Sequence, residues 1–238
     1  MPDGSTIAAA LAGVHRRMRA AAERAGRDPA SIRLVAVSKT FPPALVREAA
    51  DAGQRDFGEN RVQEGLDKIT ALAALGLDWH LIGHLQSNKA RKAAEAFRWI
   101  HSVDRLDLVT RLDRAAADAG TRPRILVQVD LAGEATKHGA TEAVAGDLVA
   151  AAAAARTLEL CGLMLLPPFP DDPEDSRPWF RRLRELRDEL VANGIPAASL
   201  AELSMGMSHD FAIAIEEGAT IVRVGTAIFG RRAPAGGP

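Results

Sequence analysis

The 238-residue chain contains no tyrosine, only one cysteine (Cys161), and few aromatic residues of any kind, three tryptophans and seven phenylalanines. Without tyrosine, any mechanism that needs a tyrosine acid or base is excluded. One cysteine cannot build a disulfide framework or a cysteine-based zinc site. Cys161, set among Leu160, Gly162 and Leu163, reads as an inert buried thiol. The scattered aromatics form no stacking ladder for single-stranded nucleic acid. Charge of one sign is missing too: 30 basic residues face 31 acidic ones, for a formal net charge of -1. A nucleic-acid footprint usually needs a basic domain, so no nucleic-acid partner is expected. No apolar run approaches the roughly 20 residues that span a bilayer. The N-terminus also lacks the basic-then-apolar order of a secretory signal. A cytoplasmic protein with no membrane contact is the expectation. Lysine is scarce as well, at Lys39, Lys68, Lys89, Lys92 and Lys137. The position of each lysine is therefore informative.

What is present is an alternation of strand-like and helix-like segments. Residues 6–25 read as an amphipathic helix. Strand candidates follow at 32–38, 55–58, 78–83, 99–104, 124–131, 158–166, 199–204 and 220–230. Helices are expected at 42–53, 59–75, 86–97, 105–120, 141–155, 174–193 and 209–218. Eight βα units imply a parallel sheet, and about 230 residues match a closed (β/α)8 TIM barrel. The alternative, an open doubly wound sheet, lacks a GxGxxG after its first strand and has no P-loop. The expected division is an N-terminal helix at 1–29 packing on the barrel, a single barrel domain at 30–230, and a flexible tail at 231–238. Helix 174–193 carries Trp179, Phe180, Leu183, Leu186 and Leu190 at helical spacing and reads as an outer barrel helix.

Barrels work at the C-terminal ends of their strands. Lys39 directly ends the first strand, where burial would free its amine to form a Schiff base. A solvated loop lysine is the alternative. The loops SMGMS and GTAIFG combine small residues, hydroxyls and a helix start, a ready cradle for one phosphate. Ser204, Ser208 and Thr226 offer hydroxyls, and Gly206 and Gly225 allow close approach; two ordinary tight turns are the alternative. Arg223 lies within the last strand, so it needs an acceptor: a ligand's ring nitrogen or a carboxylate such as Glu202. A lysine opposite a phosphate cradle fits a phosphorylated aldehyde, and pyridoxal 5′-phosphate has both handles.

The stretches LVAVSKT, FGENRVQE, WHLIGHLQSNK, HSVDR, GLM and LSMGMSHDFAIAIEEGATIVRVGTAIFG resemble the YggS/PROSC family of pyridoxal phosphate homeostasis proteins, in matching order from about residue 30 to 230. The resemblance implies an alanine-racemase-like barrel (fold type III) without the racemase's second, β-rich domain. It implies a covalent aldimine at Lys39, phosphate held by the serines of SMGMS with Met205 and Gly206 and by Gly225 and Thr226, and Arg223 against the ring nitrogen. Asn60 and His84 complete the expected cofactor-binding set. The function implied is to carry and buffer the coenzyme, affecting amino- and keto-acid balance, without catalysis. Apo-enzymes are the implied acceptors, and a monomer is expected. His209 stands where the family often has an acidic residue and is expected to be peripheral; Arg61 replaces an aromatic at the pocket rim. Lys137 reads as a loop lysine, or a second aldehyde acceptor.

A genuine enzyme on the same barrel is the alternative, either a pyridoxal phosphate racemase or decarboxylase or a cofactor-free Schiff-base aldolase. The racemase's lysine–tyrosine pair cannot be completed here. A metal hydrolase is disfavoured: His80 and His84 lack the glutamate of HExxH, and i, i+4 spacing at a strand end does not align side chains. His84 is expected to line the pocket and His80 to point into the wall or core. No metal is expected.

Overall fold

The computed structural model describes residues 6–133 and 138–230. Lys137, the extreme N-terminus and the tail at 231–238 lie outside the described residues. The first helix, α1 (Ile7–Arg24), opens where the Thr6 hydroxyl accepts the Ala9 amide at 3.2 Å, and it buries Ile7, Leu11, Val14, Met18, Ala21 and Ala22. That stripe packs on the final helices of the chain.

Nine strands then alternate with helices: β1 (Arg33–Val37), α2 (Pro43–Asp51), β2 (Asp56–Glu59), α3 (Val62–Ala71), β3 (Asp78–Leu81), α4 (Ala90–Ala96), β4 (Trp99–Val103), α5 (Leu106–Ala119), β5 (Arg124–Asp130), β6 (Ala140–Thr141), α6 (Glu142–Ala153), β7 (Glu159–Leu165), α7 (Arg177–Ala192), β8 (Glu202–Ser204), α8 (Phe211–Glu216), β9 (Ile221–Val224) and α9 (Thr226–Phe229). All pairings are parallel, and β1 pairs with β9 while β4 pairs with β5, so every strand but the two-residue β6 joins a closed eight-stranded barrel. The expected TIM barrel is the observed one.

Three expectations need correction. Residues 199–204 are not one strand: a 3-10 turn (Ala197–Leu200) takes the first part, and only Glu202–Ser204 pair. The helix expected from residue 86 starts as a 3-10 turn, with α4 beginning at Ala90. The helix expected at 174 starts at Arg177, behind a 3-10 turn that Asp172 caps by accepting the Glu174 amide. In α7, Phe180, Leu183, Leu186 and Leu190 are buried and Trp179 packs against the same core.

The main apolar core fills the layer between sheet and helices. A smaller cluster of strand residues, Val35, Trp99, Leu126, Cys161, Met164 and Ile221, fills the barrel interior. Burial pushes the Cys161 thiol up to about 12, which leaves it a protonated, inert packing group. No helix among the described residues is long and apolar enough to cross a membrane.

Candidate functional site

At the C-terminal ends of the strands lies a cavity of about 780 Å³, within the range of small-molecule sites. Seven of the ten residues expected from the sequence line it: Lys39, Asn60, His84, Ser208, Arg223, Gly225 and Thr226. Lys39 is half-buried. On the same cavity, the Ser208 hydroxyl accepts the amides of Gly225 at 3.2 Å and Ala227 at 3.3 Å, tying the loop after β8 to the loop after β9, the strand that pairs with β1. Gly83 lines the wall beside Asn60, and a Cβ there would come within 2.3 Å of the Asn60 carbonyl oxygen, so only glycine fits.

The other three lie behind the wall. Ser204 and Met205 are fully buried. Gly206 sits at φ +90°, and an added Cβ would meet Ala214 Cβ at 2.6 Å; the residue shapes the loop rather than the lining. The Ser204 hydroxyl faces the barrel interior, bonded to His101 Nδ1 at 2.9 Å and accepting from Arg223 Nη1 at 2.6 Å. Arg223 Nη2 donates to the Leu165 carbonyl at 2.8 Å. The carboxylate partner considered from sequence, Glu202, instead accepts from the Thr220 hydroxyl. Burial pushes the Arg223 pKa down to about 10, with Asp210 opposing it, so the guanidinium remains charged at neutral pH.

Sequence reasoning missed part of the wall, including Gln128, Leu166, Phe169 and Met207. Gln128 carried a signal, as a polar residue in the otherwise apolar strand RILVQVD; its amide donates to the His138 carbonyl. His209 is not peripheral: it lines the cavity, stacks on Phe169 at 5.0 Å, and leaves Nε2 buried without a hydrogen-bond partner. Arg61 is exposed and lies outside the lining. At the mouth, His84 stacks on His138 at 3.6 Å, with His84 Nδ1 3.5 Å from Asp104. Burial, reinforced by His138, lowers the His84 pKa against the pull of Asp104. These three side chains bring ligating atoms within 4.8 Å of one another, a grouping that the sequence did not suggest.

A sequence model described as alanine racemase, N-terminal domain, matches residues 10–233. A protein of Pseudomonas aeruginosa named pyridoxal phosphate homeostasis protein is 49% identical over 229 residues, covering 96% of each chain. The structure of PipY from Synechococcus elongatus, solved with PLP (pyridoxal 5′-phosphate) bound, superposes with TM-score 0.79 at 43% identity, covering 90% of this chain and 99% of that one. This chain belongs to the pyridoxal phosphate homeostasis protein family. An alanine racemase from Corynebacterium glutamicum, 18% identical with TM-score 0.68, shares the barrel fold, and this chain covers 64% of that one.

In this homeostasis-family barrel the cavity wall fits a phosphorylated aldehyde. Among the lining residues are an amine (Lys39), a guanidinium (Arg223) and three imidazoles (His84, His138, His209), but no carboxylate. Beneath Lys39 lies a buried ionic cluster. Lys68 Nζ donates to the Ser38 carbonyl and Glu59 Oε1, both at 2.7 Å, and to Glu64 Oε1 at 2.9 Å. Ser38 Oγ donates to Glu59 at 2.6 Å, and Glu64 accepts the Thr40 amide. The cluster therefore grips the backbone on both sides of Lys39. Burial pushes the Glu59 carboxyl above its ordinary range despite Lys68 and Ser38. Glu64 is held below it, because the bonds from Lys68 and the Thr40 amide outweigh its own burial.

Proposed function

We propose that this chain binds pyridoxal 5′-phosphate in the cavity, holds it covalently through Lys39, and carries and buffers it within the cytoplasm rather than turning over substrate. The coenzyme supplies an aldehyde, a dianionic phosphate and a pyridine nitrogen. Lys39 offers the amine that condenses with an aldehyde. Ser208, Thr226 and the amides around Gly225 offer donors to a phosphate. Arg223, which keeps its proton, presents a donor to the ring nitrogen and so does not make that nitrogen a strong electron sink. Asn60 and His84 close the sides. The observation that carries this reading is one cavity whose described lining residues include an amine and hydroxyl and amide donors, and no carboxylate.

One feature favours carriage over catalysis: the chain has no tyrosine to oppose Lys39 across the coenzyme plane. Acceptors of the coenzyme would be apo-enzymes that use it, with this chain acting as a monomer.

The test is a visible spectrum after incubation with excess coenzyme and dialysis. Wild type should keep a protein-bound band, and Lys39→Ala should lose it. Two colourless proteins, or two equally coloured ones, would remove Lys39 as the anchor. Amino-acid turnover at an ordinary enzymatic rate, about 1–10³ s⁻¹, would remove the carrier reading.

A further inference from the structure

Arg223 is a buried cation, yet among the described residues no carboxylate touches it; its polar partners are the Ser204 hydroxyl and the Leu165 carbonyl. Behind Ser204 runs an unbroken line of hydrogen bonds across the barrel interior. Ser204 Oγ lies 2.9 Å from His101 Nδ1, His101 Nε2 lies 2.9 Å from His80 Nδ1, and His80 Nε2 lies 3.0 Å from Asp56 Oδ1. Arg33 Nη1 donates to the same Asp56 oxygen at 2.8 Å. Both imidazoles are fully buried, and neither lines the cavity. His80 also stacks on Trp99, with ring centroids 5.5 Å apart.

The Asp56 end sets the direction of every bond when both imidazoles are neutral. The carboxylate can only accept, so His80 carries its proton on Nε2 and its Nδ1 accepts from His101 Nε2. His101 Nδ1 then accepts the Ser204 proton. Ser204 in turn accepts from Arg223, which can only donate. One arrangement of protons satisfies all five groups, with both imidazoles neutral. Burial lowers both histidine pKa values; His80 and Arg223 reinforce this at His101, and Asp56 only partly offsets it at His80. At Asp56 burial works upward, but the hydrogen bond from His80 and the bond and charge of Arg33 prevail and hold it ionised. Bonds aligned in this way polarise one another, with the donor end of each on the Arg223 side and the acceptor end on the Asp56 side.

We propose that Asp56, His80, His101 and Ser204 form a one-way relay that positions Arg223 and fixes it as a donor toward the cofactor cavity. The four are positioning residues for a cavity that Asp56, His80 and His101 do not line. The relay passes the polarity of an anion at the opposite end of the barrel to the guanidinium, with no carboxylate at the ligand itself. A carboxylate in contact with Arg223 would put a negative charge in the wall, beside a dianionic ligand. This role rests on the coenzyme reading above, whereas the proton arrangement does not.

Two measurements test it. Nitrogen-15 NMR of the ligand-free wild type should show His80 and His101 neutral, each protonated on Nε2. A charged ring, or a proton on Nδ1 of either, would overturn the relay whatever the cavity binds. Next, Ser204→Ala, His101→Leu and Asp56→Asn are loaded with coenzyme beside wild type and Lys39→Ala. The relay variants should keep the bound band that Lys39→Ala loses, but with a displaced maximum and release faster by about tenfold. Asp56→Asn, which can still accept from His80, should show the smallest change, and it remains the readable variant if the others fail to fold. An unchanged maximum and unchanged release in folded variants would leave the line as packing only and overturn the proposal. No bound band in wild type would instead strike the coenzyme reading, and the NMR pattern would still decide the relay.

Discussion

The barrel holds two buried cations near the cavity, and it treats them differently. Lys68 is gripped by two carboxylates and a carbonyl, all within 2.9 Å. Among the described residues Arg223 touches no carboxylate, only a hydroxyl and a carbonyl. The first arrangement saturates its cation and ties down backbone; nothing of Lys68 is left over for a ligand. The second spreads one distant negative charge through a line of neutral groups and leaves the guanidinium only partly satisfied at a cavity wall. The contrast separates a clamp from an open donor, here called the sensor: the fold neutralises the cation outside the cavity lining and under-neutralises the one that lines the cavity.

The largest effect should come from breaking the clamp. Lys68→Met leaves Glu59 buried beside Glu64 with no counter-charge. Removing one member of a buried ion pair costs about 3–5 kcal/mol. Because Glu59 starts with a raised pKa, it can take up a proton and recover part of that, so the lower end of the range is expected. Denaturant unfolding of the variant against wild type measures the loss. A loss under about 1 kcal/mol would mean that Lys68 and its carboxylates are no more than a surface-like pair.

The sequence revealed the clamp and the sensor unequally. Alternation and length made the closed barrel readable, and a scarce lysine at a strand end made Lys39 readable. Gly225 and Thr226 followed from the rule that barrels bind phosphate after their last strands, and Arg223 from the cost of an unpaired charge inside the last strand. The relay was not readable, because its members are 24, 21, 103 and 19 positions apart along its hydrogen-bonded steps and come together only when the barrel closes. A histidine in an apolar strand looks like any core residue. Ser204 was assigned to the phosphate because sequence proximity to Gly206 and Ser208 cannot reveal which way a strand residue points. Lys68 was passed over as one of five lysines, since helical spacing alone did not show that Glu59 and Glu64 would close on it.

Acid should distinguish the two arrangements next. His80 and His101 are held neutral in the fold, with pKa values lowered by burial. In the unfolded chain each titrates near about 6.5. Below that pH the unfolded state binds more protons, so stability rises with pH. Their contribution is complete above about pH 6.5 and is lost as pH falls toward the folded values, by up to about 1.4 kcal/mol per pH unit for each. Glu64, with its lowered pKa, gives way only below the ordinary carboxylate range, and Glu59 works in the opposite sense, gaining as it protonates. Unfolding free energies at pH 7 and pH 5 should therefore show a loss in wild type and a shallower slope in His101→Leu. Equal slopes would show that His101 is not held neutral by the fold.

The smallest effect lies at Thr40, where the clamp meets Lys39. Thr40 has φ +68°, the only non-glycine residue in the left-handed region among those described, and Glu64 accepts its amide. A β-branched residue held there stores about 1–3 kcal/mol. In an ordinary turn, Thr→Gly would cost about 0.5–1 kcal/mol of chain entropy. At this position relief of strain should offset that cost, so Thr40→Gly should unfold at the same denaturant concentration as wild type or slightly higher. If the strain is what aims the lysine, the same variant should bind coenzyme more weakly, by about two- to threefold, a factor set by a few tenths of a kcal/mol. A variant both less stable and unchanged in coenzyme affinity would show that the clamp holds this turn for packing alone, and the division between the two cations would then rest on Arg223.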